Sequence, residues 1–170
     1  MSILKTIAPA LFLALLIAPL ACALAEAAEQ SPKDAAALSQ LETGKAVFDI
    51  RTKDIGRLLF TLKLVEETAA SMQRQGISAD FVLTFRGETL PLLKAAPDAV
   101  NDAERAMFTE VRERLAVFHE KGMALEACNV AAGLFKITQD DLDPALHLVG
   151  NSLISLIGYQ NKGYALVPMY

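Results

Sequence analysis

Residues 45–87 read KAVFDIRTKDIGRLLFTLKLVEETAASMQRQGISADFVLTFRG. Lys45 to Ile50 is a short, mostly apolar run behind Gly44, the length of a strand and too short for a helix. From Asp54 to Gln75, the residues Ile55, Leu58, Leu59, Leu62, Val65, Ala69 and Met72 recur at three- and four-residue steps. That spacing lays one apolar stripe along a helix, and Gly76 stops it. Asp80 to Phe85 repeats the strand signature and closes at Arg86-Gly87. The unit is strand, helix, strand, the connection that joins parallel neighbours in a sheet.

The alternation continues downstream. Thr89 to Ala95 reads as a short helical piece ending near Pro97. Asn101 and Glu104 stand at N-cap and N3 spacing ahead of a stripe of Phe108, Val111, Leu115 and Phe118, which Gly122 ends. Met123 to Ala127 is a third strand and Asn129 to Phe135 a short helix. Thr138 to Asp141 is a capped turn before Leu142, and Pro144 ends it. His147 to Val149 is a short fourth strand. Asn151 or Ser152 caps a helix to about Lys162, ended by Gly163, and Tyr164 to Val167 is a last strand that Pro168 stops. Alternation of this kind predicts the α/β class, a parallel sheet with helices on both faces. In such sheets the site lies beyond the carboxyl ends of the strands. The segments to search are therefore Arg51–Asp54, Arg86–Thr89, Cys128–Val130 and Gly150–Ser152.

Upstream of residue 44 the chain changes character. Lys5 is followed by an almost wholly apolar run, Thr6 to Leu24, and then by Ala23-Leu24-Ala25 with small residues at the −3 and −1 positions before Glu26. This is the three-part pattern of a secretory signal peptide, residues 1–25, and it predicts a periplasmic protein. The same run also suits an uncleaved anchor, although Pro9 and Pro19 interrupt it, or a lipoprotein with Cys22 as the lipid-bearing residue. Residues 26–43 read as a leader, and 44–170 as the one folded domain. The chain has 170 residues with 53% hydrophobic and 21% charged, enough to build a core. Its net charge of −4 offers no basic excess for phosphates, so nucleic acid is not an expected partner.

Cysteine usage then narrows the chemistry. The chain has two cysteines, and cleavage after Ala25 removes Cys22 and leaves Cys128 alone. A lone thiol in an oxidising compartment forms no internal disulfide; it is either inert and packed or the reactive feature of the protein. Cys128 follows a strand and opens a helical stretch. Unpaired N–H groups and the positive end of a helix dipole there favour the thiolate, the nucleophilic form. Arg86-Gly87 ends the second strand, and a guanidinium near Cys128 would lower the thiol pKa further. Asn129 follows the thiol directly. Asn151 and Ser152 can donate to an anion or cap their helix, capping being the commoner role. His119 and His147 show no ligand spacing with Cys128, so no metal is expected. Asp140-Asp141 with Asp143 lacks the later Gly and Glu of a calcium loop. No Gly-x-Ser-x-Gly elbow, P-loop or Gly-x-Gly-x-x-Gly is present, and no cofactor is expected.

Several of these stretches together resemble the DsrE/DsrF-like family. They are Val47-Phe48-Asp49-Ile50; Phe85-Arg86-Gly87 with Leu90 to Leu93; Ala127-Cys128-Asn129 followed by Ile137-Thr138-Gln139-Asp140-Asp141-Leu142; and Gln160-Asn161-Lys162-Gly163-Tyr164-Ala165. The likeness runs from about residue 45 to 168. It implies a three-layer α/β/α fold with a mainly parallel five-stranded sheet, and homo-oligomers. It also implies a sulfur-relay role, with Cys128 at the position that carries sulfur as a persulfide and a sulfur-donor or thiol protein as partner. Arg86, Gly87, Asn129 and Asn151 are the expected binding residues around it. Asn129-Val130-Ala131 departs from the Gly-Asn-Thr that often follows the cysteine. The rival expectation is a non-catalytic oligomeric binding or assembly module in which Cys128 only packs.

Overall fold

The computed structural model describes residues 33–98 and 101–170. The expected signal segment, Cys22 within it, and most of the leader lie outside the described residues. A helical turn, Ala35–Leu38, comes first among the described residues. The elements of the domain follow as β1 Thr43–Ile50, α1 Ile55–Arg74, β2 Ser78–Phe85, α2 Asp102–Glu120, β3 Ala124–Cys128, α3 Asn129–Leu134, β4 His147–Val149, α4 Ser152–Asn161 and β5 Ala165–Met169. Short 3₁₀ turns, Gly87–Leu93 and Gln139–Asp141, fill two connections.

The five strands form one sheet in the order β4-β3-β2-β1-β5, every neighbouring pair parallel. Helices lie on both sides, as the strand–helix alternation requires. Each long helix begins where its sequence says. Asp54 accepts the Arg57 amide at 2.6 Å, and Asn101 accepts the Glu104 amide at 2.9 Å. Gly76 and Gly122, with φ of 81° and 80°, end them in the left-handed region where a side chain would be strained.

The two sheet faces differ in chemistry. Ala46, Phe48 and Ile50 of β1, with Phe81, Leu83 and Phe85 of β2, join the stripes of α1 and α2 in one large apolar core. All four stripe residues of α2 are buried. On the opposite face only Val47, Val82 and Leu156 form a small apolar cluster, under α4. Alternate positions there are polar: Asp49, Asp80, Thr84 and Glu126. All three tyrosines of the chain serve these carboxylates. Tyr159 donates to Glu126 at 2.8 Å, Tyr164 to Asp80 at 2.8 Å and Tyr170 to Asp49 at 3.0 Å. Burial and the Glu126 carboxylate push the Tyr159 hydroxyl up to about 12, so it stays a donor at any ordinary pH.

β1 and β2 begin two residues earlier than the sequence reading has them, β3 lies one residue later and takes in Cys128, and the last strand departs furthest in kind. Pro168 does not stop the last strand; it sits within β5 opposite Asp49. The Arg51 amide donates to the Met169 carbonyl at 3.0 Å, so the backbone of Met169 turns to β1 and that of Pro168 turns outward. The missing N–H falls on the open edge, where it costs the ladder nothing and blunts pairing with another strand.

Candidate functional site

Because every strand runs the same way, Ile50, Phe85, Cys128 and Val149 all end at one edge of the sheet. Cys128 is the last residue of β3 and the N-cap of α3, with extended backbone at φ −78° and ψ 114°. It is paired in register with Val149, and Gly150-Asn151 then leads straight into α4. The first residue of α4 therefore comes back over the cysteine. The Ser152 amide donates to Cys128 Sγ at 3.4 Å. The sulfur thus meets the N-terminal ends of two helices, where backbone N–H groups lack intrahelical partners.

Cys128 is 5% exposed. Burial pushes its thiol up; the Ser152 hydroxyl and amide, with the Ala131 and Val130 amides, outweigh burial and hold it below its ordinary value. In the neutral thiol these contacts are incomplete. Cys128 closes no capping hydrogen bond onto α3, and the Ser152 hydroxyl makes no hydrogen bond of full geometry among the described residues. The arrangement offers more donors than a thiol can use and suits a sulfur anion.

Arg86 leaves β2 in the row that follows Phe85 and Ala127. Its guanidinium does not serve the thiol. It turns to β1 and grips Asp49 with two parallel bonds, Nε to Oδ1 at 2.6 Å and Nη2 to Oδ2 at 2.7 Å. Asp49 is 2% exposed. Burial alone would raise its carboxyl, but the Arg86 bonds and charge, with the Tyr170 hydroxyl, hold it below the usual carboxylate range. Gly87, with φ of 61°, turns the chain out of β2 into the 3₁₀ segment, and a Cβ there would meet the Arg51 side chain at 3.4 Å.

The remaining candidates divide. Asn129 is the first residue of α3 and exposed. Asn151 is the N-cap of α4, its Oδ1 accepting the Leu153 amide at 2.9 Å. That leaves Ser152, not Asn151, turned to the sulfur. Asp141 is engaged in a capping box with Thr138, and Asp143 accepts the Ala145 amide at 3.0 Å. His119 and His147 are exposed, and no group of three or more His, Cys, Asp or Glu among the described residues is placed to hold a metal. Cavities of about 550 and 570 Å³ lie elsewhere, lined by residues such as Gln73 and Phe118 in one and Leu64 and Met72 in the other.

Known proteins match this chain in sequence and in fold. The DsrE/DsrF-like family model covers residues 45–169. The chain belongs to the DsrE/DsrF-like family. An uncharacterized protein of Aquifex aeolicus (strain VF5) is 31% identical over 125 residues, 73% of this chain and 55% of that one. The chain thus spans little more than half of that relative. Two solved structures share the fold. The protein of unknown function MTH1491 from Methanobacterium thermoautotrophicum has a TM-score of 0.60 at 16% identity, over 74% of this chain and 98% of that one. The ychN protein from E. coli has a TM-score of 0.52 at 12% identity, with the same two coverages.

Two features of this domain escape a reading by periodicity. The Asp49 pair with Arg86 has one sequence signal, a charge inside the otherwise apolar run AVFDI, which a buried strand tolerates only with a partner. The turn of Ser152 towards the sulfur has none, since a serine beside an asparagine at a helix start reads equally as a cap.

Proposed function

We propose that this DsrE/DsrF-like chain is an exported sulfur carrier that uses Cys128 as its persulfide-forming thiol. The observation that carries the reading is the Ser152 N–H on Cys128 Sγ at the junction of two helix N-termini. Family membership supports it at the level of a sulfur-relay-type domain. In the transfer, the Cys128 thiolate attacks the outer sulfur of a donor persulfide or polysulfide. The donor S–S bond breaks, its electron pair leaves on the donor thiolate, and Cys128 becomes a persulfide with no net oxidation. Attack by a partner thiolate on that outer sulfur returns the Cys128 thiolate.

Alkylation of the native protein by iodoacetamide across a pH series tests the reading. The expected midpoint lies below the ordinary cysteine value of about 8.5. A thiol that stays inert until the protein is unfolded supports instead the assembly module, in which Cys128 only packs.

Self-association is part of the proposal. Leu153, Ile154 and Ile157 of α4 are 51%, 68% and 60% exposed, on the helix that covers the polar face of the sheet among the described residues. Apolar exposure of that extent on a small domain suits a subunit contact. Light scattering at micromolar concentration should give a multiple of the monomer mass; a clean monomer would remove this element. Export is checked separately: N-terminal sequencing of protein from a secreting cell should begin near Glu26, and a chain retaining Met1 in the membrane fraction would refute it.

A further inference from the structure

Ser152 buries a hydroxyl that closes no hydrogen bond of full geometry. The residue is 0% exposed, and its Oγ has no hydrogen-bond partner among the described residues. A buried hydroxyl in that state is unfavourable, and alanine would fill nearly the same space without the orphaned atom. Helix capping does not account for it, because Asn151 already caps α4. What fixes Ser152 in place is its amide, which donates to Cys128 Sγ at 3.4 Å and so holds the side chain beside the sulfur. A neutral thiol is a weak acceptor and carries its own proton. A thiolate accepts only, with a full negative charge, and a hydrogen bond to a charged acceptor is about twice as strong as a neutral one.

We propose that the Ser152 hydroxyl is the donor for the Cys128 thiolate, its hydrogen bond closing when the thiol loses its proton. This deepens the sulfur-carrier reading and rests on it for what the thiolate does next. A lower thiol pKa makes Cys128 the better leaving group when a partner thiolate takes the outer sulfur, so the hydroxyl favours unloading in particular.

The test is the pH profile of iodoacetamide alkylation for the native chain, Ser152→Ala and Ser152→Gly. Removing the hydroxyl should raise the midpoint by about one pH unit and lower the thiolate fraction at neutral pH about tenfold, with the rate at high pH within about twofold of wild type. Thermal unfolding below the midpoint, where the thiol is neutral, should leave Ser152→Ala at least as stable as wild type. Wild-type midpoints in both variants would overturn the proposal, since a hydroxyl that only fills space does not move the profile. Alkylation reads the thiolate whether or not sulfur is carried. A shifted profile in a protein that takes no sulfur from polysulfide keeps the donor and removes the carrier. Sulfur uptake with unshifted profiles does the reverse.

Discussion

Arg86→Met should destabilise the domain by about 3–5 kcal/mol, the range for removing one partner of a buried ion pair. The size of the effect comes from what is left behind. Asp49 is 2% exposed in the second strand from the sheet edge, and without Arg86 its carboxylate retains the Tyr170 hydroxyl at 3.0 Å and the more distant charge of Arg51. The pair itself contributes less than that figure, because two charges leave water to form it. Asp49→Leu combined with Arg86→Met should therefore recover most of the loss. Urea unfolding followed by circular dichroism gives both numbers. A loss under about 1 kcal/mol for Arg86→Met would place the pair with exposed salt bridges.

The same pair sets a pH dependence of definite sign. The folded-state carboxyl of Asp49 is held below its ordinary value. Its stabilisation is thus fully present above the unfolded carboxyl value of about 3.9 and is lost as pH falls through the lower folded value. In Arg86→Met, burial, the largest influence on that carboxyl, is opposed by the Tyr170 hydroxyl and the Arg51 charge alone and should raise it, which reverses the sign. The deficit of the variant should shrink as pH falls from neutral towards about 4, where its Asp49 takes up a proton.

Cys128→Ser should abolish sulfur loading altogether while the fold survives. A serine hydroxyl is not ionised at neutral pH and forms no persulfide. The site also suits the oxygen structurally: residue 128 is the N-cap of α3, a position that favours serine, and the Ser152 amide keeps an acceptor. The thermal midpoint should therefore fall by no more than a few degrees, roughly 1 kcal/mol for a domain of this size. If Cys128 only packs, the same change buries a more polar group among Ala127, Ala131 and Ala132, and stability is lost with no activity to lose.

Most of the fold is legible because local signals and the core agree. Ile55 to Val65 and Phe108 to Phe118 are read from spacing alone and are buried as spaced. The strand ends that bring Arg86, Cys128 and Val149 to one edge follow from alternation and parallel pairing. What the sequence does not carry is the choice each polar side chain makes at that edge. Arg86 has Cys128 on one neighbouring strand and Asp49 on the other, and the bidentate carboxylate prevails over a neutral thiol as partner for a guanidinium. Asn151 and Ser152 are adjacent, and only the path of the chain from Val149 decides which caps and which faces the sulfur. Pro168 misleads because its effect depends on which way its backbone turns, a matter of register that periodicity does not reach.

The account stands or falls on whether the native Cys128 accepts sulfur. Intact-mass measurement of the folded protein after brief exposure to inorganic polysulfide, followed by desalting, reads this directly. The account predicts a gain of sulfur on one residue per chain, removed by dithiothreitol and absent from Cys128→Ser. A native protein that keeps its mass, and gains sulfur only once unfolded, would contradict it.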